Sequence, residues 1–504
     1  MRRLSLVLIL VLVLIVGGVL LWVGNLATPS TALALAPTAT GGVKVDATAL
    51  PAVINVSSLA SPRVLAWNPN NTQIAWYAAS GQPVVVAQGS TPKALVIPCG
   101  ITPAGDKMIL YLGGDTAQPY LYPLDNGTPL SLGTNIGLVC AVPNRVQFSA
   151  DGNLLALIKY DNKAVEANFT VGTLRILKMP DGSEQHALDN VVGYDLQNDG
   201  VTALEFFANT KKEANSADLV FWDGSKERKI EENIKPLENC QFVAGRPVRA
   251  GDKVFTLLGE KCKVGGSKWR LLRSDFAGDN SVNVGSGPTG SNGGALYFNN
   301  SGTNDAMLLP DGKSLLITVP NGLHGDVVNV ARVSLADGKL SNVLSGVVVD
   351  QYPPVAPRRF LRSPKGDRMA FVTRDGNGGE KLFIYDMSAP ETQPVPIAGG
   401  NRSDRINGLA WTADGERLYY VITGDDNALI YVTTKGESKR VIRGTFQGLV
   451  ISADGASAAT SEQVQAGTND LRNNLILINV NDQSKVNLVE GNKGDGALTP
   501  LILR

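Results

Sequence analysis

A short turn motif recurs along this chain of 504 residues and restricts its fold more than any other feature. Glycine, with aspartate or asparagine beside it, suits a tight turn that needs a positive φ angle. The chain is therefore an array of similar hairpins. Nine copies align at Asn70-Asn71, Ala104-Gly105, Asp151-Gly152, Asp199-Gly200, Ala250-Gly251, Asp311-Gly312, Lys365-Gly366, Asp414-Gly415 and Asp454-Gly455.

The residues around each turn repeat as well. An apolar residue, a small polar residue and then proline or alanine precede the turn, as in Trp411-Thr412-Ala413. A β-rich run follows it, as in Arg417–Val421, and then a further strand, a second turn and a short fourth strand. Four short antiparallel strands in each repeat are typical of a β-propeller blade.

Radial stacking of the repeats buries both faces of every sheet and protects the strand edges. The apolar residue before the turn is then expected to lie between blades. Nine turns exceed the usual four to eight blades, and the copies near Asp199 and Ala250 are the most degenerate. We therefore expect an all-β chain with a single propeller of eight blades, with seven or nine as alternatives. A linear solenoid is the rival arrangement.

The motif also resembles a known family. Phe148-Ser149-Ala150-Asp151-Gly152 and Trp411-Thr412-Ala413-Asp414-Gly415, each followed by two strand-like runs, are similar to the repeats of TolB-like and WD40-like propellers. The resemblance covers about residues 60–492. It implies a propeller that serves as a docking surface, as in periplasmic envelope proteins, or as the non-catalytic half of certain peptidases.

The N-terminus predicts a membrane anchor. Leu4–Val23 carries no charge and follows Arg2 and Arg3, and about 20 apolar residues can span a bilayer. We assign residues 1–23 to a transmembrane signal anchor, 24–42 to a Thr/Ala/Pro/Gly linker and 43–504 to the propeller. The N-terminus would be cytoplasmic and the propeller outside the cell membrane. The alternative is a secreted protein released by signal-peptide cleavage.

Four cysteines in an exported chain predict two disulfides. Sequence proximity favours Cys99–Cys140 and Cys240–Cys262, while four buried thiols are the alternative. A zinc site is not expected, because no two cysteines are close and the chain has only two histidines.

No catalytic motif was found. There is no Gly-x-Ser-x-Gly elbow and no phosphate-binding loop, and His186 and His324 both lie in turn-like sequence. We expect no cofactor. Lys and Arg together equal Asp and Glu at 46 each, so the charge balance does not favour nucleic acid as a partner.

One basic run departs from the repeat. Residues 357–368 carry five cations, and Arg362 occupies the position that is Trp or Phe in other copies. A charge between blades must be paired or face water, because an unpaired buried charge is costly. An arginine paired to a neighbouring acid would meet this need. The other interpretation is a binding site for an anionic group or partner, with Arg358, Arg359 and Arg362 as its candidate residues.

These observations favour a non-catalytic, membrane-tethered, extracytoplasmic propeller that binds a protein, a peptide or a component of the cell envelope. Two alternatives remain. The chain could be a structural component of a surface layer or of a larger exported complex. It could also be a propeller enzyme that acts on glycans at an axial site, since such a site leaves no local motif.

Overall fold

The computed structural model describes residues 54–56, 59–68, 73–88, 95–102, 104–113, 118–133, 146–160, 171–210, 213–278, 281–288, 306–320, 327–348, 360–374 and 377–504. All of them belong to one compact unit, Val45–Arg504. Regular structure within these ranges consists of β-strands. None of the described residues forms a helix that could cross a bilayer. The predicted anchor at Leu4–Val23 lies outside the described residues.

The strands follow one another in short antiparallel hairpins. In chain order their bounds are β1 (Ile54–Asn55), β2 (Arg63–Asn68), β3 (Gln73–Ala78), β4 (Val84–Gln88), β5 (Leu95–Ile101), β6 (Lys107–Gly113), β7 (Gln118–Pro123), β8 (Asn126–Gly127), β9 (Leu130–Ser131), β10 (Val146–Phe148), β11 (Leu154–Tyr160), β12 (Gly172–Lys178), β13 (Ser183–Gln197), β14 (Gly200–Thr210), β15 (Glu213–Trp222), β16 (Glu227–Ile234), β17 (Cys240–Ala250), β18 (Lys253–Cys262) and β19 (Ser267–Asp275).

The remaining strands continue the same pattern. They are β20 (Val282–Pro288), β21 (Ala306–Leu308), β22 (Ser314–Pro320), β23 (Val327–Ser334), β24 (Leu340–Val348), β25 (Phe360–Arg362), β26 (Arg368–Arg374), β27 (Glu380–Asp386), β28 (Val395–Gly399), β29 (Arg405–Trp411), β30 (Arg417–Thr423), β31 (Ala428–Thr433), β32 (Ser438–Arg443), β33 (Thr445–Ile451), β34 (Ser457–Gly467), β35 (Asp470–Asn479), β36 (Lys485–Val489) and β37 (Thr499–Leu503).

Among the described residues, strand pairing groups these strands into nine four-stranded antiparallel sets. In ring order, sets 1 to 9 are β37-β2-β3-β4, β5-β6-β7-β9, β10-β11-β12-β13, β13-β14-β15-β16, β17-β18-β19-β20, β21-β22-β23-β24, β25-β26-β27-β28, β29-β30-β31-β32 and β33-β34-β35-β36. The long strand β13 serves both set 3 and set 4, with a positive φ at Asn190 where it changes partner.

The core lies between the sets. The described residues form nine clusters of buried apolar side chains. Eight of them join two consecutive sets, and the cluster shared by sets 7 and 8 also includes Val327 and Val348 of set 6. The cluster that contains Val64 and Tyr77 of set 1 also contains Ala459 and Leu475 of set 9. The sets therefore contact one another in a closed cycle, which is the arrangement of a β-propeller. The predicted all-β propeller fold is confirmed.

The turns have the backbone angles and hydrogen bonds that the motif predicts. The turn glycines have positive φ, with values of 73° at Gly152, 68° at Gly415 and 69° at Gly455. The Thr412 hydroxyl donates a hydrogen bond of 2.5 Å to the carboxylate of Asp414. This bond, followed by the bond from the Glu416 backbone N–H, lowers the pKa of Asp414. Asp414 is therefore a turn residue.

The apolar residue before the turn also lies where it was predicted. Trp411 is buried, belongs to the cluster shared by sets 7 and 8, and donates from Nε1 to the carbonyl of Leu361 at 3.2 Å. Phe148 packs in the same way against the cluster shared by sets 2 and 3. These residues join neighbouring sets because they face the preceding sheet.

The predicted register of the first copy was wrong. The motif aligned at Asn70-Asn71 puts the apolar residue before that turn, Trp67, at the end of a first strand, whereas the C-terminal strand β37 takes that place. β37 lies against β33, the first strand of set 9, as first strands of neighbouring sets do elsewhere. Trp67 consequently ends a second strand and packs toward set 2, in the direction opposite to Trp411. The chain closes its cycle through the β2–β37 pair.

Candidate functional site

The predicted arginine site is only partly described. Arg358 and Arg359 lie outside the described residues. Arg362 ends β25, opposite Met369, and its side chain is exposed to solvent. Its Nη2 donates to the carbonyl of Gly366 at 3.3 Å, so the guanidinium folds over its own turn. An exposed guanidinium needs no buried partner, and the anion-binding role of Arg362 stays a prediction.

One of the two predicted disulfides is confirmed, and one of the two histidines lies in the described residues. Cys240 and Cys262 lie opposite each other in β17 and β18 and form a disulfide, which confirms that predicted pair. Cys99 is also disulfide-bonded. Cys140 lies outside the described residues, and the pairing Cys99–Cys140 stays a prediction. His186 stacks on Trp222 with a centroid separation of 5.3 Å.

No metal site emerges from the described ranges. In them, no three side chains of His, Cys, Asp or Glu come close enough to hold an ion. His324 lies outside the described residues. His186 has one acidic neighbour, Glu227, at 3.4 Å from its Nε2.

A pocket lined mostly by charged and polar residues opens where the turns of sets 5, 6 and 7 meet. In sets 2 to 9 the first and third turns lie at one end of the sheet, because the strands alternate in direction. We call this end the turn face. The pocket has a volume of about 610 Å³. It is lined mainly by set 6, through Asp311–Ser314 and Ser334–Lys339, with Asp252 of set 5 and Glu391 of set 7.

Contacts between sets hold the walls of the turn-face pocket. Arg273 of set 5 donates from Nη1 to the carbonyls of Leu335 at 3.1 Å and Ala336 at 2.9 Å. Arg332 of set 6 binds both carboxylate oxygens of Glu391 in set 7, at 2.6 and 2.8 Å. The hydrogen bond from Arg332 lowers the pKa of the Glu391 carboxyl. A paired fork of this kind fixes both side chains in position.

The turns of set 6 are also joined to each other. The Leu335 N–H donates to the carbonyl of Lys313 at 2.9 Å, so the third turn is tied to the first. On the opposite wall, Lys253 of set 5 reaches Asp275 at 2.5 Å and Asp252 at 3.3 Å. The hydrogen bond to Asp275 raises the pKa of Lys253. The turn-face pocket therefore has a fixed shape before any ligand binds.

Two lysines of the pocket differ from its other charges. Lys313 and Lys339 are both exposed, and neither ammonium group has an acidic partner within 4.0 Å in the part of the chain that the structure describes. Asp337 and Glu391 are near enough to Lys339 that its charge lowers the pKa of each, as a minor cause. These two ammonium groups can donate hydrogen bonds to a ligand.

Sequence reasoning missed the turn-face pocket because its walls come from three separate repeats. One signal was present. The residue directly after the turn glycine is acidic in four copies and basic in set 6 alone. In order along the chain these residues are Asp106, Asn153, Val201, Asp252, Lys313, Asp367, Glu416 and Ala456.

Comparison with known proteins gives likeness of fold only. No protein-family profile matches the chain, and no curated protein matches it. The WD40 domain of Sif2 is 13% identical, with a TM-score of 0.40 over 74% of this chain and 96% of that one. TolB from Acinetobacter baumannii is 11% identical, with a TM-score of 0.26 over 69% and 82%.

An enzyme is also among the similar solved structures. Oligogalacturonate lyase from Vibrio parahaemolyticus is 11% identical, with a TM-score of 0.37 over 82% of this chain and 95% of that one. Solved structures of the TolB and WD40 type are thus among those similar to this chain. The fold itself rests on the strand pairing and the cyclic order of the sets.

Proposed function

We propose that this chain is a non-catalytic, extracytoplasmic binding scaffold that holds a protein partner or a cell-envelope component at its turn-face pocket. The observation that carries the proposal is the pocket itself, whose walls are fixed by contacts among three sets. A preformed concave site lowers the entropy lost on binding. The carboxylates of the pocket are engaged by backbone N–H groups or cations, which favours binding over acid–base catalysis.

The test blocks the turn-face pocket in the full-length protein. Ser341 lies half-buried at the start of β24 and lines the pocket. Ser341→Trp fills this space, while Ser183→Trp makes the same change at the start of the fourth strand in set 3. Cross-linking in membranes followed by affinity purification should recover the same partner with the wild type and with Ser183→Trp. Recovery should fail with Ser341→Trp. Equal recovery with all three proteins, or no partner at all, would refute the proposal.

We also propose that the nine sets are nine blades of a single ring, in place of the eight expected from the sequence. The support is that nine four-stranded sets and nine apolar clusters between sets coincide among the described residues. A crystal structure viewed down the ring axis would test the number directly. Seven or eight blades would contradict it.

The location of the protein is a proposal of the same kind. We propose that Leu4–Val23 stays in the membrane as a single-pass anchor and that the propeller lies outside. The support is the uncharged length of this segment, the preceding arginines and the disulfide Cys240–Cys262, which fits an oxidising compartment. N-terminal sequencing of the mature protein tests it. A start near Ala27 or Pro37 would show cleavage instead.

A further inference from the structure

We propose that the turn-face pocket binds a small hydrophilic ligand through an anionic group, a phosphate or a carboxylate, and that Lys313 and Lys339 supply the charges that hold it. This inference rests on the proposed binding function and names the chemistry of its ligand. Four carboxylates and four cations line the pocket, so its net charge does not select a ligand. The chemistry of the ligand is instead decided by which of these side chains already have a hydrogen-bond or ion-pair partner.

The carboxylates of the pocket are all engaged. One oxygen of Asp311 accepts the backbone N–H groups of Lys313 at 2.8 Å and Ser314 at 3.0 Å. Asp337 accepts the N–H of Lys339 at 3.1 Å. Asp252 lies 3.3 Å from the ammonium group of Lys253. Glu391, as described above, binds Arg332 through both oxygens. These bonds already compensate part of the charge of each carboxylate, so a cationic ligand gains less from them.

The cations divide into two kinds. Arg332 and Lys253 are committed to Glu391 and Asp275. Lys313 and Lys339 lie on the first and third turns of set 6, which the bond from Leu335 N–H to Lys313 carbonyl holds together. Their ammonium groups have no such commitment among the described residues. An ammonium group is a compact point charge with three donors, and it serves well as a ligand for phosphate or carboxylate.

The repeat provides an independent comparison. At the position of Lys313, acids of other sets already have partners: Asp106 accepts from Thr102 of its own turn at 2.6 Å, and Glu416 of set 8 binds Lys365 of set 7 at 2.5 Å. Set 6 reverses the charge at this position, and the cavity of about 610 Å³ lies at the same place. That volume is within the range of small-molecule sites.

Calorimetric titration of the full-length protein in detergent micelles tests the inference with three matched probes. Glucose 6-phosphate and glucuronate carry an anionic group, while glucose has the same ring without charge. We expect both anions to bind at least about tenfold more tightly than glucose, and the tighter one identifies the preferred group. Lys313→Ala and Lys339→Ala should each weaken anion binding by roughly fivefold.

Two further variants sharpen the result. Lys313→Asp restores the charge found in other sets and should abolish anion binding. Lys435→Ala removes an exposed lysine from the third turn of set 8 and should change nothing. The inference is overturned if neither anion binds more tightly than glucose, or if the Lys313→Ala/Lys339→Ala double variant keeps the wild-type affinity.

The outcome is separable from that of the proposed function. If the partner is captured equally by the wild type and by the double lysine variant, the scaffold stands and the anion site falls. If the anions bind but no partner is recovered in the cross-linking experiment, the anion site stands and the scaffold falls.

Discussion

Glu205 is the group whose titration we expect to be most visible in the stability of the protein. It lies in β14 directly opposite Asp218 of β15, on the face of the strand that carries Ala203 toward set 3. Burial raises the pKa of Glu205 from 4.5 to about 7, and the negative charges of Glu227 and Asp218 add to this shift. The ammonium group of Lys229 lies 3.0 Å from the carboxylate of Asp218.

The direction of the effect follows from proton binding. The folded state holds a proton on Glu205 more tightly than the unfolded chain does between pH 4.5 and about 7. The free energy of unfolding therefore falls as the pH rises through that window, and above it the ionised carboxylate destabilises the folded state. The full pKa shift of Glu205 would correspond to a loss of ~3 kcal/mol in the free energy of unfolding. Because the side chain is half-buried, solvent screening reduces the expected cost to about 1 kcal/mol.

Replacement of Glu205 by glutamine keeps the shape and removes the charge. At pH 8 we expect Glu205→Gln to raise the melting temperature by about 1–2 °C, and at pH 5 we expect almost no difference. Glu238→Gln, at an exposed glutamate, is the matched control and should have no effect at either pH. Differential scanning fluorimetry at the two pH values measures both variants. A gain of equal size at pH 5, or a loss at pH 8, would refute the reasoning.

Three further variants test separate parts of the structure. Loss of the disulfide in Cys240→Ser/Cys262→Ser, which links residues 22 apart, should cost about 3 kcal/mol in chemical denaturation, and unchanged stability would contradict this. Trp411→Ala should cost about 3–4 kcal/mol because it empties the contact between sets 7 and 8 and removes the bond to Leu361; a cost below about 1 kcal/mol would show that the contact is not needed. Arg362→Leu should weaken binding of an anionic ligand and leave the melting temperature within about 1 °C, since the side chain is exposed; a large drop would mark Arg362 as structural.

Local chemistry explains why the sheets could be predicted from the sequence. Thr412, Asp414 and Gly415 form their turn through bonds within six residues, so the same letters produce the same hairpin wherever they occur. Trp411 and Phe148 lie between sets because the residue before each of these turns places an apolar side chain on the face toward the preceding sheet. The residues of a single repeat are therefore enough to predict its hairpin and the face that it buries.

Features that depend on distant segments could not be predicted in this way. β37 has no turn motif of its own, and its place in set 1 is decided by its pairing with β2 at the other end of the chain. The turn-face pocket likewise depends on Arg273, Arg332 and Glu391 from three different sets. Arg362 departs from the repeat at the apolar position before the turn, whereas Lys313 departs from it directly after the turn glycine, a position that lies outside the apolar pattern.

The C-terminal strand β37 closes the cycle of sets by pairing with β2 near the other end of the chain. A disulfide cross-link between these two strands tests this closure most directly. Arg63 and Arg504 exchange backbone hydrogen bonds of 2.6 and 3.0 Å, so the adjacent pair Val64 and Leu503 is not hydrogen-bonded and has close side chains. Cysteines at such a pair can form a disulfide. After oxidation of folded Val64→Cys/Leu503→Cys, mass spectrometry of the digest should detect a peptide that joins the two sites. Two thiols that stay open to alkylation in the folded protein would contradict the closed cycle.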